Sequence, residues 1–239
     1  MESLIRVRNL RFRYEDGTSA LDGVNFDLYP GETVALLGPN GSGKTTFMLH
    51  LNGLLRGEGE VMVCGLPVDK ANLEEIRRRV GLLFQDPDEQ LFMPTVLEDV
   101  AFGPLCQGWN PADAQARALR ALSQVGMEGA AGKAPYHLSA GEKRRVALAA
   151  VLATEPEVLL LDEPTTYLDP PGQSELLRLL EGLPQAKILV THDTCFAEAI
   201  ATRAAFFQRG RIVAEGSVAE LRHRFGWAAR LLPRACGRD

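Results

Sequence analysis

Apolar positions along this chain recur with two different periods, and each period predicts its own elements. Leu10, Phe12 and Tyr14 alternate with Arg11 and Arg13, the period of two that gives a strand one buried face and one wet face. Asp16-Gly17 is a hairpin turn signal and the run Leu21 to Leu28 follows it, so the chain is expected to open with antiparallel sheet. Short continuous apolar runs then recur at Thr33 to Leu37, Val80 to Phe84, Val158 to Leu161 and Ile188 to Val190, with a further strand near Val61. Runs of that kind suit parallel strands covered on both faces. Between them helical stretches are expected at Thr46 to Leu51, Asn72 to Arg79 and near Gln173 to Glu181. The alternation predicts an α/β protein with a buried sheet.

From about Asp86 to Thr154 the pattern turns helical, with helices expected at Thr95 to Phe102, Pro111 to Val125 and Val146 to Ala153. Gly129 to Pro135 is the loosest part of that insertion. Short strands around Phe206 and Ile212 and a helix from Val218 are expected to follow. The chain contains no internal repeat.

Composition narrows the classes. In 239 residues, 46% are hydrophobic and 24% charged, which excludes fibrous and disordered chains. The net charge of −5 gives no general pull toward nucleic acid, and no nucleic-acid partner is expected. From Arg203 to Asp239 eight arginines face three acids, a local excess read as a solvated tail. No apolar run approaches the roughly 18 residues of a membrane-crossing helix. The first residues lack a signal-peptide core, so the chain is expected to stay in the cytoplasm. Cys64, Cys106, Cys195 and Cys236 are scattered and expected to be reduced, and the four histidines are too dispersed for a transition-metal site.

The sharpest chemical signal is Gly38-Pro39-Asn40-Gly41-Ser42-Gly43-Lys44-Thr45-Thr46, a complete phosphate-loop pattern between an expected strand and an expected helix. Its glycines let successive N–H groups turn inward on a phosphate chain, and the helix adds its positive end. Lys44 would reach the outer phosphates, and the Thr45 hydroxyl would sit on the magnesium ion that bridges them.

Further elements follow in order. The strand Val158 to Leu161 delivers Asp162 as a magnesium carboxylate, and Glu163 beside it is placed to polarise an attacking water. His192, after the next strand, could contact the terminal phosphate or hold the Glu163 region. Gln85 ends the strand Val80 to Phe84, where its amide could report on the metal and the water. Leu138-Ser139-Ala140-Gly141-Glu142-Lys143-Arg144-Arg145 sets a Ser and a Gly at a helix start, where N–H groups and the dipole suit an anion. With these motifs in this order the chain resembles the ATP-binding-cassette (ABC) ATPases over nearly its whole length.

That resemblance implies an α/β phosphate-loop ATPase fold as a single domain over 1–239. A RecA-like core with an N-terminal antiparallel β subdomain would occupy 1–85 and 155–215, the helical signature subdomain 86–154, and a C-terminal helical tail 216–239. It implies ATP and Mg2+ as ligands, with Thr45, Asp162 and Gln85 at the metal. Glu163, His192, Gln85 and Lys44 would be the catalytic set. Tyr14 would stack on adenine, Gly38 to Thr46 would hold the phosphates, and Leu168-Asp169 would form the D-loop. Ser139, Ala140, Gly141 and Glu142 would close on the nucleotide of a second chain in a head-to-tail homodimer. Ala140 departs from the usual Ser-Gly-Gly, and its methyl is expected to slow hydrolysis if the backbone there needs a Gly-only conformation.

Phe84 to Phe92 with Thr95 to Pro104, together with Lys143-Arg144-Arg145-Val146-Ala147-Leu148, is similar to the energy-coupling-factor (ECF) importers. In that subgroup this segment lines a groove for helices of a transmembrane coupling protein, and Asp86, Asp88 and Glu89 would suit basic residues there. The passage Leu179 to Gln185 is most similar to cobalt and nickel importers. Vitamin importers remain the alternative, since the substrate binds a separate membrane protein, and a soluble ABC regulator is a further one. The resemblance places the chain on the cytoplasmic face of the membrane, as a peripheral subunit.

Overall fold

A computed structural model of the chain describes residues 2–227. The expected C-terminal tail therefore lies outside the described residues beyond Trp227. In chain order the strands are β1 (Ile5–Arg13), β2 (Ser19–Leu28), β3 (Thr33–Leu37), β4 (Glu58–Val63), β5 (Leu66–Pro67), β6 (Val80–Leu83), β7 (Val158–Asp162), β8 (Ala186–Val190), β9 (Arg203–Gln208) and β10 (Arg211–Gly216). The helices are α1 (Lys44–Leu51), α2 (Leu73–Arg79), α3 (Val96–Cys106), α4 (Pro111–Gln124), α5 (Ala140–Leu152), α6 (Pro170–Glu181), α7 (Thr194–Ile200) and α8 (Val218–Arg224).

A six-stranded sheet in the order β10-β9-β3-β8-β7-β6 forms the centre, parallel from β6 to β9 and closed by antiparallel β10. The alternation of its strands sorts side chains into two cores. Val34, Leu36, Val158, Leu160 and Ile188 face α1 and the antiparallel sheet. Ala35, Leu37, Leu159, Leu161 and Leu189 face the helical side. Because both faces are covered, these strands read as continuous apolar runs. Each fully buried leucine or valine contributes roughly 1.5–3 kcal/mol of hydrophobic stabilisation.

The second sheet is antiparallel, in the order β2-β1-β4-β5. The turn expected at Asp16-Gly17 is present, with Gly17 N donating to Tyr14 O at 2.9 Å. The strand before it starts at Ile5, earlier than the clean alternation at Leu10, because a register shift at Asn9 (φ 51°) separates Val7 from Leu10.

Other boundaries moved for identifiable reasons. The helix expected from Val146 begins at Ala140, since Ser139 and Glu142 form a capping box at its start. The helix expected to stop at Phe102 continues to Cys106 through Pro104, whose missing N–H costs the helix one bond to the carbonyl of Val100. Helix α7 was not foreseen; Asp193 caps it by accepting from Phe196 N at 2.9 Å. The arginine-rich end is not simply a solvated tail. Arg203 pairs with Glu32 and Glu215, each at 2.9 Å, Arg211 with Asp22 at 2.5 Å and Arg222 with Glu198 at 3.0 Å.

Candidate nucleotide site

The strand β3 ends in the phosphate loop, and α1 starts at Lys44. The loop passes tightly beneath its neighbours. A Cβ at Gly38 would sit 2.2 Å from Phe207 O, and one at Gly43 (φ 105°) 2.5 Å from Ala20 O. Only glycine fits at either place. Pro39, Asn40 and Gly41 form the exposed rim. Among the described residues no protein acceptor faces the amide N–H groups of Gly41, Gly43, Lys44 and Thr45. The buried Ser42 hydroxyl likewise has no partner. Unpaired donors gathered at a helix start form a cradle for an anion.

Lys44 is buried, and its Nζ donates to Gly38 O at 2.8 Å and Pro39 O at 3.0 Å. Burial pulls its pKa down, opposed by the charges of Glu163 and Asp162. Thr45 Oγ1 donates to Asp162 Oδ2 at 3.1 Å, which joins the loop to the end of β7. Thr46 Oγ1 lies 2.9 Å from the Tyr14 hydroxyl, and Thr46 O lies 2.7 Å from His50 Nδ1. Tyr14 therefore stands beside α1 with an open face, edge-on to Phe12 at 5.0 Å, rather than inside the core.

Glu163 follows β7 in a left-handed backbone conformation (φ 44°), with its N–H donating to Val190 O at 2.8 Å. A non-glycine residue held there carries strain, of the kind concentrated at functional sites. Its Oε2 accepts from His192 N at 3.2 Å. His192 Nε2 lies 3.3 Å from Glu163 Oε1, although Oε1 takes no well-directed hydrogen bond. Burial pushes the Glu163 pKa up; the His192 backbone bond and charge oppose it, and Asp162 adds to it. Burial likewise raises Asp162. Two carboxylates and a lysine thus share one poorly solvated place.

Gln85 sits on an exposed bend after β6 and lines a cavity with Thr45, Met48, Asp162 and Tyr167. The structure thus brings together Lys44, Thr45, Asp162, Glu163, His192 and Gln85. It does not bring Ser139, Ala140, Gly141 and Glu142 to them. Those four line a separate groove with Tyr167, Asp169 and Glu175. There Ser139 Oγ accepts from Glu142 N at 3.3 Å, and Glu142 Oε2 accepts from Ser139 N at 2.8 Å.

Ala140 is the first helical residue of α5 and is not among the described positive-φ residues. The premise for slow hydrolysis, a backbone conformation open only to glycine, is therefore not met.

Two residues escaped the sequence reading as site residues. Tyr167 is 73% exposed, borders both cavities and holds φ at 65°; its placement directly before Leu168-Asp169 was the available signal. Arg144 is 1% exposed and spans from α5 to the backbone of Phe84 and Gln85. It was visible only as part of a basic run.

The parallel sheet, the cradle at the end of its interior strand β3 and the carboxylates beside it define a phosphate-loop nucleotide-hydrolysing protein. A family model described as ABC transporter matches residues 21–166. The energy-coupling factor transporter ATP-binding protein EcfA of Methanocaldococcus jannaschii is 48% identical over 224 residues, covering 91% of this chain and 80% of that protein. Among solved structures, cbiO1 from Clostridium perfringens, part of the ABC transporter complex cbiONQ, superposes with a TM-score of 0.84 at 35% identity, covering 94% and 92% of the two chains. The ATP-binding cassette MJ0796, dimeric and bound to ADP and phosphate, superposes with a TM-score of 0.81 at 30% identity, covering 90% of this chain and 98% of that one. The chain belongs to the ABC transporter family. It has the ABC ATPase fold and is an ABC-type ATPase.

Proposed function

We propose that this chain is the ATP-hydrolysing subunit of an ECF-type importer, energising uptake of cobalt or nickel ions through membrane partners from the cytoplasmic face. The observation that carries the reading is an exposed apolar patch beside the acidic segment that follows Gln85. Phe92 is 63% exposed and packs edge-on against Phe102 at 5.1 Å, and Leu105 and Trp109 are exposed further along. The buried Asp99 holds the loop, accepting from Phe92 N at 3.0 Å and Met93 N at 2.9 Å. Asp86, Asp88 and Glu89 flank it. A patch of that kind on a chain with no membrane-crossing helix among the described residues suits helices of a basic coupling protein. Similarity to EcfA and cbiO1 supports the same reading.

In this reading Gly38 to Thr46 hold the phosphates of ATP and Tyr14 stacks on adenine. Magnesium fits the residues present: the Thr45 hydroxyl and the Asp162 carboxylate are hard oxygen donors 3.1 Å apart, and burial raises the pKa of Asp162 and of Glu163 even against the charges of Lys44 and His192, so an added cation would favour their ionised forms. Thr45, Asp162 and Gln85 would hold the ion, which neutralises phosphate charge. Glu163 accepts the proton of the attacking water, and His192 holds Glu163 in place. Lys44 leaves its loop carbonyls for the outer phosphates. Ser139 to Glu142 line a different groove from the phosphate loop, and in this reading they complete the site of a second copy in a head-to-tail homodimer; the relative MJ0796 is dimeric.

The domain division given above is proposed with this function: RecA-like core, helical subdomain and tail. A vitamin importer is the second reading, because in an ECF-type importer the substrate binds a separate membrane protein. Purification from native membranes in mild detergent with MgATP tests both. A multi-helix coupling protein with a small metal-binding membrane protein is the expected result, a vitamin-binding partner changes the cargo, and recovery without membrane protein overturns the importer reading in favour of a soluble regulator.

A further inference from the structure

Arg144 is the largest fully buried side chain described, yet no carboxylate lies within ion-pair distance of it among the described residues. Its Nη1 donates to Phe84 O at 2.7 Å and its Nη2 to Gln85 O at 2.5 Å, while its Nε is buried without a partner. Taking a cation out of water without a direct ion pair is costly, Asp86 and Asp162 opposing the effect of burial only at longer range, and a leucine or methionine would fill the same space without that cost. The planar fork of the guanidinium is what spans two successive carbonyls.

The neighbouring contacts point the same way. Lys143 Nζ donates to Asp88 Oδ1 at 2.6 Å, and Gln90 Nε2 donates to Ala147 O at 3.3 Å. Three side chains thus fasten the first turns of α5 to the segment 84–90. The N-cap of the same helix is Ser139, tied by its capping box. Arg144 comes five positions after Ser139, a rise of about 7.5 Å along a rigid rod. The segment 84–90 in turn holds Gln85, beside Thr45 and Asp162, and leads into the exposed Phe92.

We propose that Arg144 is a positioning residue for ATP hydrolysis, fixing the Gln85 backbone beside the reacting phosphates and making Gln85 and Ser139 move as one body. A partner that presses on Phe92 then reaches both nucleotide-facing groups through one lever. The inference rests on the ATPase reading of Gln85 above.

The test is a double-mutant cycle on the purified full-length chain, with kcat and KM for MgATP and the thermal midpoint read for each variant. Arg144→Lys keeps the charge and loses the fork; kcat should fall about tenfold with KM nearly unchanged, and Arg144→Met should lose about 100-fold. In a Gln85→Ala background Arg144→Lys should cost little more, because its effect passes through Gln85. Wild-type kcat in Arg144→Lys, or losses that simply multiply with Gln85→Ala, overturn the proposal. A lowered midpoint with unchanged kcat per folded molecule would mean a purely structural role and overturns it too. Should Arg144→Met fail to fold, the Lys variant carries the cycle. Glu163→Gln in the same assay separates the two ideas: undiminished turnover there sinks the reading of the site itself, whereas multiplying losses sink only Arg144.

Discussion

The phosphate loop and the signature end of α5 both offer a helix start to an anion, and they stand in opposite states. At the loop the amides of Gly41, Gly43, Lys44 and Thr45 have no protein acceptor among the described residues, Lys44 is turned onto its own loop carbonyls, Asp162 is buried and Glu163 is half-buried beside it. At α5 the Ser139 N–H and the Glu142 N–H are already satisfied by the capping box, and the residues lie open to solvent. One end is charged, buried and strained, so it holds free energy that a bound phosphate and cation can release. The other is relaxed, and gains little until a second surface meets it. In the proposed head-to-tail homodimer, that difference would let a single chain offer both halves of a site and still need a partner copy to use them.

The largest effect should come from the strained end. Glu163→Gln should lower turnover about 100-fold or more and trap an ATP-bound dimer, measured by steady-state hydrolysis and size-exclusion chromatography with ATP. Full activity would remove Glu163 from its proposed role. The same exchange should raise the thermal midpoint at neutral pH, since it removes a buried charge.

Acidity sharpens the contrast next. Burial holds Glu163 above the ordinary glutamate pKa of about 4.3. Its ionised form accepts the proton, so kcat should rise with pH through that raised value. Stability has the opposite sign. Between the unfolded and folded pKa values the folded chain keeps a proton that the unfolded chain has released, so stability falls as pH rises through that window. A kcat profile with its acid limb at the ordinary glutamate value would contradict the burial argument.

At the relaxed end the effects should be smaller. Ser139→Ala loses the cap, about 1 kcal/mol, readable by urea denaturation, and should weaken ATP-dependent dimerisation without changing nucleotide binding to the monomer. Tyr167→Gly relieves a left-handed tyrosine and should stabilise the monomer by about 0.5–1 kcal/mol, with the sign checked in the same denaturation series. Smallest is Ala140→Gly: Ala140 is helical, so turnover should match wild type, and a faster variant would revive the steric argument.

Much of the site was legible because its elements are local. Gly38 to Thr46 needs only a strand before it and a helix after it, and the strand Val158 to Leu161 delivers Asp162 by simple continuation. Helix boundaries were less so where polar side chains decide them: Glu142 starts α5 six residues before its apolar stretch, and Asp193 starts α7 with almost no apolar stretch at all. Arg144 and Tyr167 were not legible as site residues. An arginine in a basic run reads as surface, and nothing local shows that carbonyls 60 and 59 residues away receive it.

The sequence by itself determined the parallel sheet, the phosphate cradle and the identities of its charged neighbours, since period, glycine placement and strand ends are short-range properties of the chain. Only the tertiary structure decided that Glu163 is strained and held by His192, that Thr45 meets Asp162 across 117 residues, and that Ser139 faces a different groove from the phosphate loop. Those facts depend on how strands β3, β7 and β8 lie side by side and how α5 is fastened to the bend after β6. Burial, strain and long-range hydrogen bonds exist only once distant segments share one core.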